Sequence, residues 1–139
     1  APAEGRLPLL IDLLEATDPQ TVSAALAMLA RDSDPQVTAA LLDRVTALDF
    51  ESRPDEVKFA LVTALGDAAG EEVVPALEQI LQKGGWFARR TAERTAAAQT
   101  LARIGTPAAM EVIQAGLHSR SEAIRASCLD ALARKGRAA

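Results

Sequence analysis

The sequence predicts an all-α fold, an α-solenoid (superhelix) of about four stacked antiparallel helix pairs. Three observations carry this. Hydrophobic residues make up 49% of the chain and aromatics only 3%, so Leu, Val, Ile and Ala must fill the core, and Ala and Leu are strong helix formers. No segment combines β-branched and aromatic residues with the period-2 alternation of a strand. Apolar stripes at helical spacing recur along the chain with a nearly constant step.

The elements follow in order. Leu7, Leu10, Ile11 and Leu14 form the stripe of a first helix. Asp18-Pro19 breaks it and opens a second, with Val22, Leu26 and Leu29, because Asp caps a helix and Pro suits the first turn. Asp34-Pro35 repeats the device before Val37, Leu41, Leu42, Val45 and Leu48. Pro54 opens a fourth helix with Val57, Leu61 and Leu65, expected to close near Gly66 or Gly70. Val73, Val74, Leu77, Ile80 and Leu81 make a fifth, with Pro75 in its first turn and Gly84-Gly85 at its end. A sixth runs from about Thr91 to Ile104 and stops at Gly105. Thr106-Pro107 starts a seventh with Met110, Ile113 and Leu117. Ser121 caps an eighth, carrying Ile124, Cys128 and Leu132 and expected to end before Gly136. The connections are short, which forces neighbouring helices to run antiparallel.

Alignment of the even-numbered helices on their opening residues exposes the repeat. Val22, Val57, Glu93 and Ile124 share one position, and Leu26, Leu61, Ala97 and Cys128 the next. Ala30, Leu65, Leu101 and Leu132 share a third, at steps of 35, 36 and 31 residues. Such a step marks stacked helix pairs.

These residues carry a family resemblance. Leu7 to Leu14, then Asp18-Pro19, Val22, Ala25-Leu26 and Leu29, resemble the HEAT pattern, with the first helix in the B role and the second, after the Asp-Pro turn, in the A role. Ile104-Gly105-Thr106-Pro107-Ala108-Ala109, then Ser121, Ile124-Arg125 and Ala131-Leu132, are similar to the bacterial HEAT-like subset also found in phycobilisome lyases. The resemblance covers nearly the whole chain and implies architecture rather than a reaction. Its Val-Arg position is Ser23, Lys58, Arg94 and Arg125 in successive units, a ladder expected to contact neighbouring units or turn carboxylates, with Asp55, Glu93, Glu122 and Asp130 as candidate partners. Glu93 replaces an apolar residue of the pattern. The chain reads as one HEAT-like repeat domain over residues 1–139, and its start at Ala1 without a Met suits a piece of a longer protein.

Catalysis is poorly supplied, and the chain is expected not to be an enzyme and to need no cofactor or metal. His118 is the only His and lies at a helix end, where its charge would suit the helix dipole. Cys128, the only Cys, sits on an apolar stripe as a small buried side chain. A lone cysteine permits no internal disulfide and suits a reducing, cytoplasmic setting. No His/Cys cluster has metal-ligand spacing. The acid pairs Asp32/Asp34, Asp55/Glu56 and Glu71/Glu72 lie at helix starts, where they favour the dipole. Gly66, Gly70, Gly84, Gly85 and Gly105 read as residues that follow helix ends. No apolar run approaches the length of a membrane span.

Charge is more informative. Residues 1–85 carry six Lys/Arg and fifteen Asp/Glu, a net of −9; residues 86–139 carry nine and four, a net of +5. This asymmetry suits an acidic partner at the basic end, or a head-to-tail contact between molecules or with flanking repeats. The segment Gly84-Gly85-Trp86-Phe87-Ala88-Arg89-Arg90 gathers the only Trp and two Arg, residue types enriched at interface hot spots, although Trp86 and Phe87 also suit a loop folded back over the core.

Two functions remain open. In the first, the chain is a non-catalytic interaction or scaffold module that holds a protein partner. The resemblance implies that B helices line a concave face, so Asp43 and Arg44 on the third helix, Glu78, Gln79 and Gln82 on the fifth, and Glu111 and Gln114 on the seventh are the expected contacts, together with Trp86, Phe87, Arg89 and Arg90. In the second, the basic C-terminal third (Arg89, Arg90, Arg94, Arg120, Arg125, Arg134, Lys135 and Arg137) meets a nucleic acid or another polyanion. A pI near 5.0 and the scarcity of aromatics for base stacking argue against the second. A lyase subunit is the enzymatic alternative that the resemblance raises, and one His with no Tyr supplies little independent chemistry.

Overall fold

A computed structural model describes residues 3–30, 34–47, 49–82 and 91–138. The α-helices are α1 (Ala3–Leu13), α2 (Pro19–Leu29), α3 (Pro35–Thr46), α4 (Asp55–Ala69), α5 (Val74–Gln82), α6 (Thr91–Ile104), α7 (Pro107–Leu117) and α8 (Glu122–Ala138), with 3-10 turns at Phe50–Ser52 and Gly70–Val73. Among the described residues there is no strand.

The expected caps are in place. The Asp18 and Asp34 carboxylates accept from the amides of Gln20 and Gln36, with Pro in the first turn of each helix. Thr106 Oγ1 accepts from the Ala109 amide, and Ser121 Oγ from that of Ile124. Each satisfies an amide with no partner inside its helix.

Four expectations need correction. Gly66 does not end α4: it lies inside the helix, which stops at Gly70 with φ +60. Gly66 is buried, and a Cβ there would collide with Thr100 Cγ2 of α6, so its lack of a side chain serves close helix approach. Gly136 does not end α8, which runs on to Ala138; an exposed glycine lowers helix stability by only about 1 kcal/mol, which packing elsewhere on α8 overrides. In the third alignment position Leu65 and Leu101 are fully buried, but Ala30 is an exposed C-cap whose buried role falls to Leu29, and Leu132 is half-buried. Val73 belongs to the turn before α5 rather than to the helix. Leu48, Gly84 and Gly85 lie outside the described residues.

The helices pair as α1/α2, α3/α4, α5/α6 and α7/α8, and the pairs stack. The even helices form one continuous layer, with α4 on α6 and α6 on α8 as the most extensive contacts of the fold. Small residues explain this closeness: Ala96, Ala97, Ala98 and Ala102 of α6 are buried in the core. The odd helices touch one another only sparsely. The helices α2, α4, α6 and α8 thus form the closely packed layer of the stack, here called the inner layer, and the odd helices the outer one.

Candidate functional site

The inner face carries two adjoining grooves. The first, about 360 Å³, lies between α2 and α4, with Leu26, Ala27, Ala30, Phe59 and Ala64 on its walls and Asp67 at its edge. The second, about 430 Å³, crosses α4, α6 and α8; Phe59, Thr63, Gln99 and Thr100 line it, and Arg103, Arg134 and Lys135 border it. Phe59 and Thr63 belong to both. Phe59 is 37% exposed where the grooves meet. Volumes of this size admit a few side chains of a partner.

The charges around the grooves are mostly engaged. Arg103 pairs with Asp67 across α6 and α4, both more than half exposed. Arg134 pairs with Asp130 one turn away at 2.9 Å. Lys135 Nζ donates to the Ala102 carbonyl at 2.6 Å, in the last turn of α6, where a cation also favours the dipole.

Beneath the face lies the ladder foreseen at the Val-Arg position. Lys58 Nζ sits 2.7 Å from Glu93 Oε1 with both side chains buried, and 3.3 Å from Asp55 Oδ1. Burial alone would lower the pKa of the Lys58 ammonium, but the hydrogen bonds and attraction of Glu93 and Asp55 outweigh it and raise the value above that of an ordinary lysine. Glu93, the departure from the apolar pattern, thus supplies the countercharge that ties α4 to α6. Arg94 is buried and donates to the Leu81 carbonyl at 3.3 Å. Arg125 donates to the Ser119 carbonyl at 2.6 Å. Asp130 does not meet the ladder as expected; it is taken by Arg134.

A repeated helix pair, a cation at the same position of successive units, and a tightly stacked inner layer are now in view, and the family model of HEAT repeats matches residues 7–96. The chain belongs to the HEAT-repeat family. A second model, the PBS lyase HEAT-like repeat, matches residues 93–119. No curated protein matches the chain. HEAT repeats generally mediate protein–protein interaction or scaffolding and are generally non-catalytic, while PBS lyase HEAT-like repeats occur in lyase-associated proteins.

In this HEAT-repeat chain the contacts expected from the sequence lie on the odd-numbered helices. Asp43 and Arg44 lie on α3, Gln79 and Gln82 on α5, Glu111 and Gln114 on α7, all in the widely spaced outer layer. These helices lie opposite the closely packed layer of α2, α4, α6 and α8. Gln79, Gln82, Glu111 and Gln114 are exposed there, and Glu78 is half-buried. Arg44 bonds Asp43 at 2.9 Å and pairs with Glu15 beyond α1 at 2.8 Å, which fastens the first unit to the second. Trp86, Phe87, Arg89 and Arg90 lie outside the described residues.

Sequence reasoning missed Phe59. A signal existed: Val57, Leu61 and Leu65 define the buried stripe of α4, and position 59 is rotated about 200° from Val57 at helical periodicity, so a Phe there must face outward. Cys128 is fully buried, and burial raises its thiol pKa, which suits an inert core residue. Among the described residues no group of three or more His, Cys, Asp or Glu could hold a metal ion, and no helix is long and apolar enough to cross a membrane.

Proposed function

We propose that this chain is a non-catalytic scaffold that holds a protein partner along its inner face, with an apolar side chain of the partner seated against Phe59. The observation that carries this reading is the exposure of Phe59 at the junction of two grooves. An exposed aromatic at the centre of a concave surface is the usual anchor of an interface, and the ion pairs of Arg103 and Arg134 supply a polar rim.

Polyanion binding is disfavoured by how most of the described cations of the C-terminal third are used, Arg120 being exposed. Arg94 is buried, and Arg103, Arg125, Arg134 and Lys135 already donate to protein acceptors.

The test compares capture by the wild-type chain, Phe59→Asp and Gln79→Arg, with and without nuclease. A protein bound by wild type and by Gln79→Arg but lost in Phe59→Asp supports the inner face. A protein lost in Gln79→Arg alone moves the site to the outer layer. Material that disappears with nuclease overturns the protein-partner reading.

A further inference from the structure

We infer that the partner seated on the inner face is a basic amphipathic helix, with its apolar stripe in the groove between α2 and α4 and a Lys or Arg beside Asp55 and Glu56. This rests on the inner-face reading above and names the kind of segment that the face accepts. The groove is built within the chain, between the first and second helix pairs, with the buried Val37 and Leu41 of α3 among its lining. Its walls run from Ser23 to Ala30 and from Phe59 to Ala68, about 10–14 Å at the helical rise. Polar lining is limited to Ser23, Thr63 and Asp67. Both walls are helices whose backbone groups bond within the helix, so they offer an incoming backbone few partners. An extended segment pressed into the groove would leave its own amides and carbonyls unpaired. A helix satisfies them internally and presents side chains alone, and a volume of about 360 Å³ takes a few of these.

Charge selects among helices. α2 carries no charged residue. α4 carries Asp55, Glu56 and Asp67 and a single cation, Lys58, which is buried and answered by Glu93 at 2.7 Å. Every exposed charge on the two walls is therefore a carboxylate. Asp67 is paired with Arg103. At the start of α4, Glu56 is exposed, and Asp55 leans on Lys58 at 3.3 Å with its side chain 78% exposed. These two carboxylates share a hollow of about 380 Å³ with Phe59 and Ala60. An aromatic ring beside two carboxylates suits the apolar stem and cationic head of Lys or Arg. The wider surroundings agree: residues 1–85, which include both walls, carry a net of −9, and so attract a basic segment and repel an acidic one.

Peptide display on the intact chain tests this. A library of random peptides of about 16 residues, enough for roughly four helical turns, is selected for binding to wild type and against binding to Phe59→Asp. Circular dichroism checks that the variant remains helical; if it unfolds, Ala27→Gln, which fills the groove from an exposed position on α2, takes its place. The enriched peptides should carry apolar residues at i, i+3, i+4 and i+7 and a net positive charge. Synthesised and titrated by fluorescence anisotropy, they should bind Glu56→Lys about fivefold more weakly than wild type and lose affinity as salt rises. Enriched peptides that are neutral or acidic, or that lack the helical stripe, overturn this inference and leave the inner-face reading standing. So does equal affinity for wild type and Glu56→Lys. The absence of any peptide that distinguishes wild type from the groove variant overturns both.

Discussion

Lys58 and Glu93 lie 2.7 Å apart with both side chains buried, joining α4 to α6 across two consecutive units. A buried charge without a partner is costly, whereas a buried pair gains little over well-packed apolar residues. Glu93→Ala should therefore lower unfolding free energy by about 3–5 kcal/mol, with Asp55 moderating the loss. Lys58→Met combined with Glu93→Leu should recover most of it. Urea denaturation of the two single variants and the double variant measures this; a double variant as unstable as Glu93→Ala would show that the pair itself holds the layers.

The same pair predicts an alkaline response. The pKa of Lys58 is raised in the folded chain above its ordinary value of 10.5. A raised folded-state pKa means that its stabilising contribution is fully present below the unfolded value and is lost as pH rises through the folded one. Thermal melts from neutral pH to beyond that range should show a steeper alkaline decline in wild type than in the Lys58→Met/Glu93→Leu variant. Parallel declines would mean that other groups dominate.

Gly66 and Thr100 should be coupled. Gly to Ala within a helix normally stabilises by about 0.5–1 kcal/mol, yet here the new Cβ meets Thr100 Cγ2. Overpacking of this kind costs about 1–3 kcal/mol. Gly66→Ala should be destabilising in wild type and close to neutral or favourable with Thr100→Ser, which removes the methyl. Additive effects of the two substitutions would refute the contact.

Leu65 and Leu101 are fully buried in successive units of the inner layer. Leu→Ala at either should cost about 2–5 kcal/mol. Losses under about 1 kcal/mol at both would be incompatible with the packing of α4 on α6.

Asp34 should behave as a helix cap. Its carboxylate accepts from the Gln36 amide at 2.8 Å, and Asp34→Ala should cost about 1 kcal/mol, with Asp34→Asn or Asp34→Ser retaining most of the stability. Equal losses for all three would assign the effect to charge alone.

Helix starts were legible because each rests on a local signal. Asp18-Pro19, Asp34-Pro35 and Thr106-Pro107 act within one turn of themselves, and no distant residue is needed to read them. Gly66 was misread for the converse reason: sequence presents it as a stop, and only Thr100, 34 positions away by subtraction, reveals it as a point of close approach. Gly136 was misread because packing elsewhere on α8 carries the helix past a residue that would end a weaker one.

The inner face divides in the same way. That Phe59 points away from the core follows from its phase against Val57, Leu61 and Leu65. That α4 belongs to the closely packed layer does not, since this depends on the relative spacing of two layers, set by Ala-rich packing of α6 against both α4 and α8.

The sequence by itself determined the fold class, the repeat step, the helix starts and the likeness to HEAT repeats, because hydrophobic periodicity and capping act over a few residues. Tertiary structure alone decided which helices form the inner layer, that Glu93 answers Lys58, and that two grooves meet at Phe59. Those depend on distances between units about 35 residues apart, which no local pattern encodes.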